Sequence, residues 1–394
     1  MKIDPNVPRF RSCRGFYFAL ATILTCNILF GTLPEARWLT GGEPATLETD
    51  PALSAASAAK PDTSGQIDSD RAMSASMLAG HMAERVIEQL AYGPAFDAKV
   101  RQRVWVSGRE VVGVGTYEQA GRGSACFNLQ LTMHDGDGQH TLQQVSDGRL
   151  AWTRQEIGGE VALKRVDVGR LDQWVQDDYR QKRARENTTL QAKPDTVPAE
   201  PVQGSTPWKG GRIVRPSVRV GGLTEMLDQI GRDYFLALSS GSLESTEVWI
   251  LTGTLTEQAR ERWGLASDSV TKTSKWPELV PTRVIVAIAK QDYPDNGFGQ
   301  GLPVRIEYWS DPIAIADVAS RGDDEKPKPA REHAKSRLIS LLELYSLRPI
   351  TPPPIERFRF DNLDAEVNFV NETDRYLARY GIRLTERQSR TLRR

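Results

Sequence analysis

The sequence is poor in cysteine and histidine, the residues from which disulfide frameworks, metal sites and many nucleophilic sites are built. It contains 3 cysteines and 4 histidines in 394 residues. Cys13 and Cys26 lie in the N-terminal segment, so Cys126 alone remains in the main body. Lysine plus arginine equals aspartate plus glutamate at 51 each, which leaves no excess of positive charge to attract nucleic acid. We therefore expect neither a disulfide scaffold nor a nucleic-acid partner.

Signatures of the common enzyme classes are also absent. The sequence has no H-E-x-x-H and no G-x-S-x-G, the motifs typical of zinc proteases and α/β-hydrolases. The G-x-G at 113–115 lies among strand signals, whereas a dinucleotide site needs a helix there. The DGDG at 135–138 has Ser146 at the twelfth position of a calcium loop, so a hairpin turn explains it better. His134 and His140 flank this turn without a third ligand and are expected to be solvated. We predict no catalytic residue, no cofactor and no metal site.

A long uncharged segment lies near the N-terminus. Residues 15–33 carry no charge, basic residues from Lys2 to Arg14 precede them, and acidic residues from Glu35 to Asp50 follow them. Such a stretch is typical of a membrane span, and the basic side stays in the cytoplasm. We predict an uncleaved anchor that makes the chain a single-pass inner-membrane protein with its bulk in the periplasm. A cleaved signal peptide is the alternative, although its apolar core is usually shorter.

Composition divides the remaining chain into ordered and disordered parts. Segments that are rich in Ala, Ser, Thr, Pro and charge bury too little apolar surface to offset the entropy of ordering them. The predicted organisation is a cytoplasmic segment at 1–14, an anchor at 15–33, a flexible tether at 34–70, a folded domain at 71–384 with disordered insertions at about 180–212 and 318–334, and a basic tail at 385–394.

Within the folded domain, the spacing of apolar residues changes from helical to strand-like after Gly93. Apolar residues from Met73 to Leu90 keep helical spacing. The later stretches alternate with a period of two between glycine-rich turns, which predicts an antiparallel meander. The predicted strands are 98–106, 109–119, 125–133, 140–145, 150–157, 160–168, 245–255, 282–290, 302–310, 335–347, 357–360 and 365–370. The predicted later helices are 169–179, 223–238 and 372–380.

The predicted strand at 125–133 distinguishes the two faces of the sheet. From Phe127 to Met133, large apolar residues alternate with polar ones, so one face is apolar and the other is solvated. Cys126 falls on the polar face and is expected to be a spare thiol. A curled sheet needs helices over its apolar face, and the stripe at 223–238 predicts one. The candidate ligand-binding residues are Phe127, Leu129, Leu131, Leu150 and Trp152 on the sheet and Met226, Ile230 and Phe235 on the helix.

Four short segments follow one another along the domain. They are SDGRLAWTR and VDVGRL in the meander, VWILTG in a later strand, and FRFDNLDAEVNFVNET near the C-terminus. Together with the leading and central helices, over about 71–380, their order resembles the LolA-like fold of periplasmic lipoprotein carriers and their lipid-binding relatives. The resemblance implies a half-open barrel that is covered by helices and encloses an apolar cavity for acyl chains. The carriers are soluble, whereas this chain has a predicted anchor and long polar insertions, so it would act locally and not shuttle freely.

We therefore predict an α+β fold in which a curled antiparallel sheet, or half-open β-barrel, is covered by helices and preceded by one N-terminal transmembrane helix. The predicted function is binding of a lipid or acyl chain by this membrane-tethered domain, in lipid or lipoprotein handling. Two other functions stay open. With a filled barrel, the domain would be a structural or interaction module of the cell envelope, and an enzyme site could be assembled from residues that lie far apart in sequence.

Overall fold

A computed structural model describes most of the predicted folded domain. The described residues are 67–106, 109–136, 138–191, 218–244, 246–263, 280–310, 336–362, 366–386 and 388. The predicted anchor at 15–33, nearly all of the tether and the insertion at 318–334 lie outside these residues. Within the described ranges, no helix combines the length and the hydropathy that crossing a membrane requires.

Five α-helices and twelve strands make up the described structure. The helices are α1 (Ile67–Tyr92), α2 (Val168–Gln191), α3 (Gly222–Asp233), α4 (Glu257–Arg262) and α5 (Thr373–Arg379). The strands are β1 (Phe96–Val106), β2 (Arg109–Gln119), β3 (Cys126–His134), β4 (Gln139–Asp147), β5 (Leu150–Ile157), β6 (Glu160–Asp167), β7 (Tyr234–Leu243), β8 (Thr246–Leu255), β9 (Arg283–Ala289), β10 (Pro303–Ser310), β11 (Arg337–Pro349) and β12 (Phe369–Asn371). A short 3₁₀ helix spans Ile355–Phe358.

All twelve strands form one sheet. Their order is β12-β6-β5-β4-β3-β2-β1-β11-β10-β9-β8-β7. Every neighbouring pair is antiparallel except β12 and β6, which are parallel. A sheet of this width curls because each strand is twisted relative to its neighbour. The predicted α+β class and curled, mostly antiparallel sheet are thus confirmed, with β12 and β7 as the two edges.

Tight turns and close backbone approach set the register of the meander. At the SDGR turn, Asp147 Oδ1 accepts hydrogen bonds from the backbone N–H groups of Arg149 and Leu150, each at 2.8 Å. In β2, a Cβ at Gly115 would lie 1.8 Å from the carbonyl oxygen of Gln130. The G-x-G at 113–115 therefore serves strand packing, in agreement with the expectation that it is no dinucleotide site.

Helices α1 and α3 cover one face of the sheet and enclose the main core. Helix α1 packs along β7 and α3, and α3 also contacts β3. The core that they close includes Ile87, Leu90, Leu223, Leu227, Ile230, Leu129, Leu131 and Ile306. A second cluster lies under α2 and α5 and includes Ala151, Val166, Leu171, Val175, Tyr376 and Leu377. The predicted arrangement of helices over an apolar sheet face is therefore observed.

The opposite face of the sheet is also covered next to β3 and β4. The 3₁₀ helix at Ile355–Phe358 places Phe358 against Cys126 and Val145, and all three side chains are buried. The prediction that Cys126 lies on a solvated face is therefore wrong, because alternation within one strand cannot reveal a distant segment that covers it. The predicted strand at 357–360 is also wrong, since the chain turns here directly after a run of prolines, which lack the N–H that a strand needs.

Two predicted helix boundaries differ from the structure. The helix predicted at 223–238 ends at Asp233, and β7 begins at Tyr234 and pairs with β8 along its whole length. Asp233 and Tyr234 are adjacent, and the local sign of the change is Gly231 in the last turn of the helix. Helix α2 continues to Gln191, so the first part of the insertion predicted as disordered, 180–191, is helical. Residues 192–212 of that insertion lie outside the described residues.

Candidate functional site

The candidate residues of β3 lie in the main core. Phe127, Leu129 and Leu131 are 5%, 6% and 3% exposed. The ring of Phe127 stacks on Tyr117 with centroids 6.4 Å apart. A Cβ at Gly221, just before α3, would lie 2.6 Å from Phe127, so the approach of α3 to this ring requires glycine. These three side chains face the covering helices as predicted, and they are closely packed.

Trp152 lies on the other face of the sheet. Residues that are paired across antiparallel strands point to the same face of the sheet. Phe127 pairs with Ser146, and Ser146 pairs with Ala151, so Ala151 shares the face of Phe127. Trp152 pairs with Val145 and points to the opposite face. The indole ring stacks on Phe360 at 5.0 Å and meets Phe369 edge-on at 5.4 Å. The prediction that Leu150 and Trp152 share a face with Phe127 is therefore wrong. The prediction assumed that the larger side chains must face the helices. The face opposite α1 and α3 is covered here too, by Phe360 and Phe369.

The candidate residues of the predicted helix at 223–238 are separated by its early end. Ile230 on α3 is buried in the main core, and Met226 is partly buried against it. Phe235 lies on β7 and is 56% exposed. The structure thus brings Ile230 and Met226 together with the three β3 residues, and it separates Phe235 from them. Whether any of these residues contacts a ligand stays a prediction.

The space enclosed beside Phe127 is very small. A cavity of about 10 Å³ is bordered by Phe127, Ala151, Val166 and Tyr376, among others. That volume holds about one water molecule. An acyl chain does not fit there in the structure as described, so any apolar ligand needs space that opens elsewhere.

A larger space lies between α1 and α3, and we call it the interhelical groove. Its volume is about 340 Å³, within the roughly 300–1,000 Å³ typical of small-molecule sites. The groove is lined by Met77, Gly80, His81, Ala83, Glu84 and Ile87 on α1 and by Asp228, Gly231 and Arg232 on α3. Ala83 and Ile87 also belong to the main core. The floor of the groove is therefore the outer surface of the core, and its rim is charged.

Two glycines keep the groove open. An added Cβ at Gly80 or Gly231 would meet no atom within 4 Å. Both positions are inside helices, where glycine is about 1 kcal/mol less favourable than alanine. Side chains at these two positions would occupy the groove without displacing the backbone. The sequence patterns did not identify the groove, because its lining residues come from two helices that are far apart in sequence.

Arg219 connects the two helices at the groove. Its guanidinium contacts Glu84 of α1 at 2.8 Å and Asp228 of α3 at 2.7 Å. Burial lowers the pKa of Arg219, but the hydrogen bond to Glu84 and the charge of Asp228 outweigh it, so the pKa is raised. Asp228 also contacts Arg232 and Arg379. An ionic bridge thus holds α1 and α3 together, and it lies near the surface.

A buried carboxylate fixes the first turn of α3. Glu225 accepts a hydrogen bond of 2.8 Å from the hydroxyl of Tyr376 on α5, and it also contacts Arg379 and the backbone N–H of Gly221. Burial raises the pKa of Glu225, although these partners oppose the shift. Three hydrogen-bonding groups around one carboxylate are a structural arrangement that attaches α3 to α5.

His140 is buried, contrary to the expectation of a solvated turn residue. Its Nδ1 accepts a hydrogen bond of 3.2 Å from the N–H of Gly158, and its Nε2 lies 2.8 Å from Asp135 Oδ2. The pair attaches the DGDG turn to the neighbouring hairpin. His134 is exposed. Among the described residues, no group of three or more His, Cys, Asp or Glu side chains could hold a metal ion.

Comparison with known proteins finds similar structures but no similar sequences. No protein-family model matches the chain, and no curated protein does. A LolA superfamily protein from Nitrosomonas europaea is 11% identical, with a TM-score of 0.24, and the match covers 72% of this chain and 99% of that one. LprF from Mycobacterium bovis is 8% identical, with a TM-score of 0.28 and coverage of 71% and 97%. A DUF1329 family protein from Desulfovibrio piger is 9% identical, with a TM-score of 0.27 and coverage of 72% and 97%. The matched structures thus include a LolA superfamily protein.

Proposed function

We propose that this domain binds the acyl part of a lipid or of an acylated molecule beneath α1 and α3. The observation that carries the proposal is the interhelical groove, whose floor residues Ala83 and Ile87 are part of the main core. Widening the groove would expose apolar side chains that a hydrocarbon chain can cover. Burial of each CH₂ group contributes about 0.8 kcal/mol.

The side chains around the groove include flexible methionines, which can rearrange to accommodate a ligand. Met77 lines the groove, and Met82 and Met226 are partly buried against the core. Methionine is unbranched and flexible, and it fills spaces of irregular shape. The charged rim stays in water while the floor contacts the chain. The proposed role is binding, with no chemical step.

A second candidate function is a structural or interaction module of the cell envelope with a filled interior. The observation that favours it is the burial of Phe127, Leu129 and Leu131, each 6% exposed or less. In this case the groove is a surface depression, and α1 and α3 stay closed over the core. The two candidates differ in whether an acyl chain binds at all.

Blocking the groove tests the proposal. We expect the full chain, purified from membranes in detergent, to bind radiolabelled palmitate and to carry a lipid in native mass spectrometry. The double variant Gly80→Phe/Gly231→Phe should bind at least tenfold more weakly, because two rings occupy the groove. Its melting temperature should not fall, since both Cβ positions are open. Gly138→Phe, in an exposed turn with equally open space, is the matched control.

The results separate the two candidates. Absence of both palmitate binding and co-purified lipid would favour the filled module. Palmitate binding that the double variant leaves unchanged would show that the ligand does not use the groove, and this would contradict the proposal.

We also propose that residues 15–33 anchor the chain in the inner membrane and that the domain is periplasmic. The support is the uncharged segment with basic residues before it and acidic residues after it. Alkaline phosphatase fused after residue 70 should be active, because it folds only in an oxidising compartment, and the fusion after residue 14 should be inactive. An inactive fusion at residue 70, or release of the protein from the membrane, would contradict this topology.

A further inference from the structure

The first half of α1 carries an exposed apolar pair. Met77 is 62% exposed and Leu78 is 59% exposed, and the next residue, Ala79, is fully buried. Single exposed apolar residues are common on protein surfaces. Here two are adjacent on one helix, and Met77 is also part of the wall of the interhelical groove. The apolar pair therefore adjoins the opening through which we propose that an acyl chain passes.

The neighbouring charges suit the surface of a bilayer. Leu78, His81 and Arg85 follow one another at helical spacing and share a side of α1. Basic groups beside apolar ones are typical of helices that lie in the headgroup region. The carboxylate of Glu84, on the adjacent side, is paired with Arg219 at 2.8 Å. Its charge is thus compensated within the protein.

The number of residues between the predicted anchor and α1 limits how far α1 can lie from the membrane. Helix α1 begins at Ile67, and the segment 34–66 separates it from the predicted anchor. A random coil of 33 residues has a root-mean-square end-to-end distance of about 30 Å. Met77 lies about 15 Å along the helix from Ile67. The exposed pair therefore lies on the described helix that follows the proposed anchor along the chain.

From these observations we infer that the first half of α1 docks on the bilayer surface through Met77 and Leu78, so that the interhelical groove opens onto the lipid. The inference rests on the proposed function, because it assigns the membrane itself as the source of the acyl ligand. The occupant of this face is the lipid surface and not another protein.

Depth-dependent quenching tests the docking. The full chain is reconstituted in nanodiscs of phosphatidylcholine and phosphatidylglycerol, with Cys13, Cys26 and Cys126 replaced by serine or alanine and a single NBD-labelled cysteine introduced. The label is placed by Met77→Cys or Leu78→Cys. The control is Val114→Cys, on the outer face of β2, because Val114 is also 56% exposed. Lipids brominated on the acyl chain should quench the label at 77 and 78 at least threefold more than at 114.

Equal quenching at all three positions would overturn the docking, whatever the result with palmitate. A second variant, Leu78→Glu, is read with the label at 77. With the label at 77 it should lose the quenching. Leu78→Glu without the label, in which Met77 is intact, should still bind palmitate added in detergent, because the side chain of Leu78 is exposed and outside the core. Quenching that persists in Leu78→Glu would also overturn the inference. Failure of palmitate binding in the unlabelled wild type would instead refute the proposed function, which the quenching experiment does not measure.

Discussion

Lys164 occupies a position where its charge is costly. Lys164 lies on β6, beside the edge strand β12. Its ammonium nitrogen is 3.5 Å from the carboxylate of Glu372, and the side chains of Lys164 and Glu372 are only 12% and 11% exposed. Burial lowers the pKa of Lys164, and the attraction of Glu372 only partly offsets this effect. Glu372 has a second partner in Arg375, at 3.6 Å. Removal of the lysine would therefore not leave the carboxylate alone.

We expect Lys164→Met to alter the pH dependence of stability in alkaline solution. A lysine whose pKa is lower in the folded state adds stability that is complete above its unfolded pKa of 10.5 and is lost as pH falls through the folded pKa. At pH 7 the variant should thus be as stable as the wild type or about 1 kcal/mol more stable. As pH rises through the lowered pKa toward 10.5, this advantage should shrink, as measured by urea unfolding.

Lys182→Met is the matched control for this prediction. Lys182 is 61% exposed and pairs with Asp178 on the surface of α2, so this variant measures the effect of losing a surface lysine. If Lys164→Met and Lys182→Met gave the same dependence on pH, the charge of Lys164 would not be disfavoured by the fold.

Single residues also show where the sequence misleads. Phe127, Leu129 and Leu131 could be placed on the face under α1 and α3, because the large apolar side chains of their strand alternate with polar ones and so share one face. Trp152 could not, because its face depends on whether Phe360 and a distant segment cover the outer side. Size alone favoured the wrong face.

At the scale of elements, the contact between α1 and α3 determines access to the core. Arg219 joins the two helices through Glu84 and Asp228. Hydrogen bonds to charged groups contribute about 1.5–3 kcal/mol each, whereas solvent-exposed ion pairs contribute about 1 kcal/mol or less. The side chain of Arg219 is 17% exposed, whereas that of Glu84 is 57% exposed. The ion pair of Arg219 with Asp228 on α3, whose side chain is 17% exposed, is thus stronger than the ion pair with Glu84 on α1. We therefore expect α1 to be the helix that moves.

Arg219→Gln should loosen α1 without unfolding the sheet. We expect amide hydrogens of α1 to exchange at least tenfold faster, because a loss of about 1.4 kcal/mol corresponds to a factor of ten, while those of β1 and β11 stay protected. Arg260→Gln, which removes a surface pair with Glu257 within α4, is the control and should change nothing in α1. Unchanged exchange of α1 in Arg219→Gln would show that apolar packing alone holds the helices together.

Local sequence signals explain which helix and strand boundaries could be predicted. The strands at 109–119 and 150–157 were predicted with the bounds that β2 and β5 have, because glycine-rich turns mark both ends. The helix at 223–238 was extended too far because Tyr234 and Leu238 continue its helical spacing. Pairing of β7 with β8 overrides that spacing, and such pairing is a tertiary effect that a local pattern does not contain. The groove was missed for the related reason that it exists only between packed helices.

At the scale of the whole molecule, strand β1 connects the two halves of the sheet. It pairs with β2 on one side and with β11 on the other. The meander from β2 to β6 and the strands from β7 to β11 therefore share one hydrogen-bonded sheet. The main core likewise includes Leu129 from one half and Ile306 from the other. Opening of the groove should accordingly move a helix and leave the sheet intact.

This connection predicts that both halves of the sheet unfold together. Trp152 on β5 and Trp309 on β10 lie on opposite sides of β1. In protein labelled with fluorotryptophan, their ¹⁹F resonances, assigned through Trp152→Phe and Trp309→Phe, should disappear at the same urea concentration. Val100→Ala, which leaves a small cavity at a position in β1 that is 1% exposed, should lower both midpoints equally. Separate midpoints, or a shift of only one of them, would mean that the two halves are independent folding units and that β1 does not transmit stability between them.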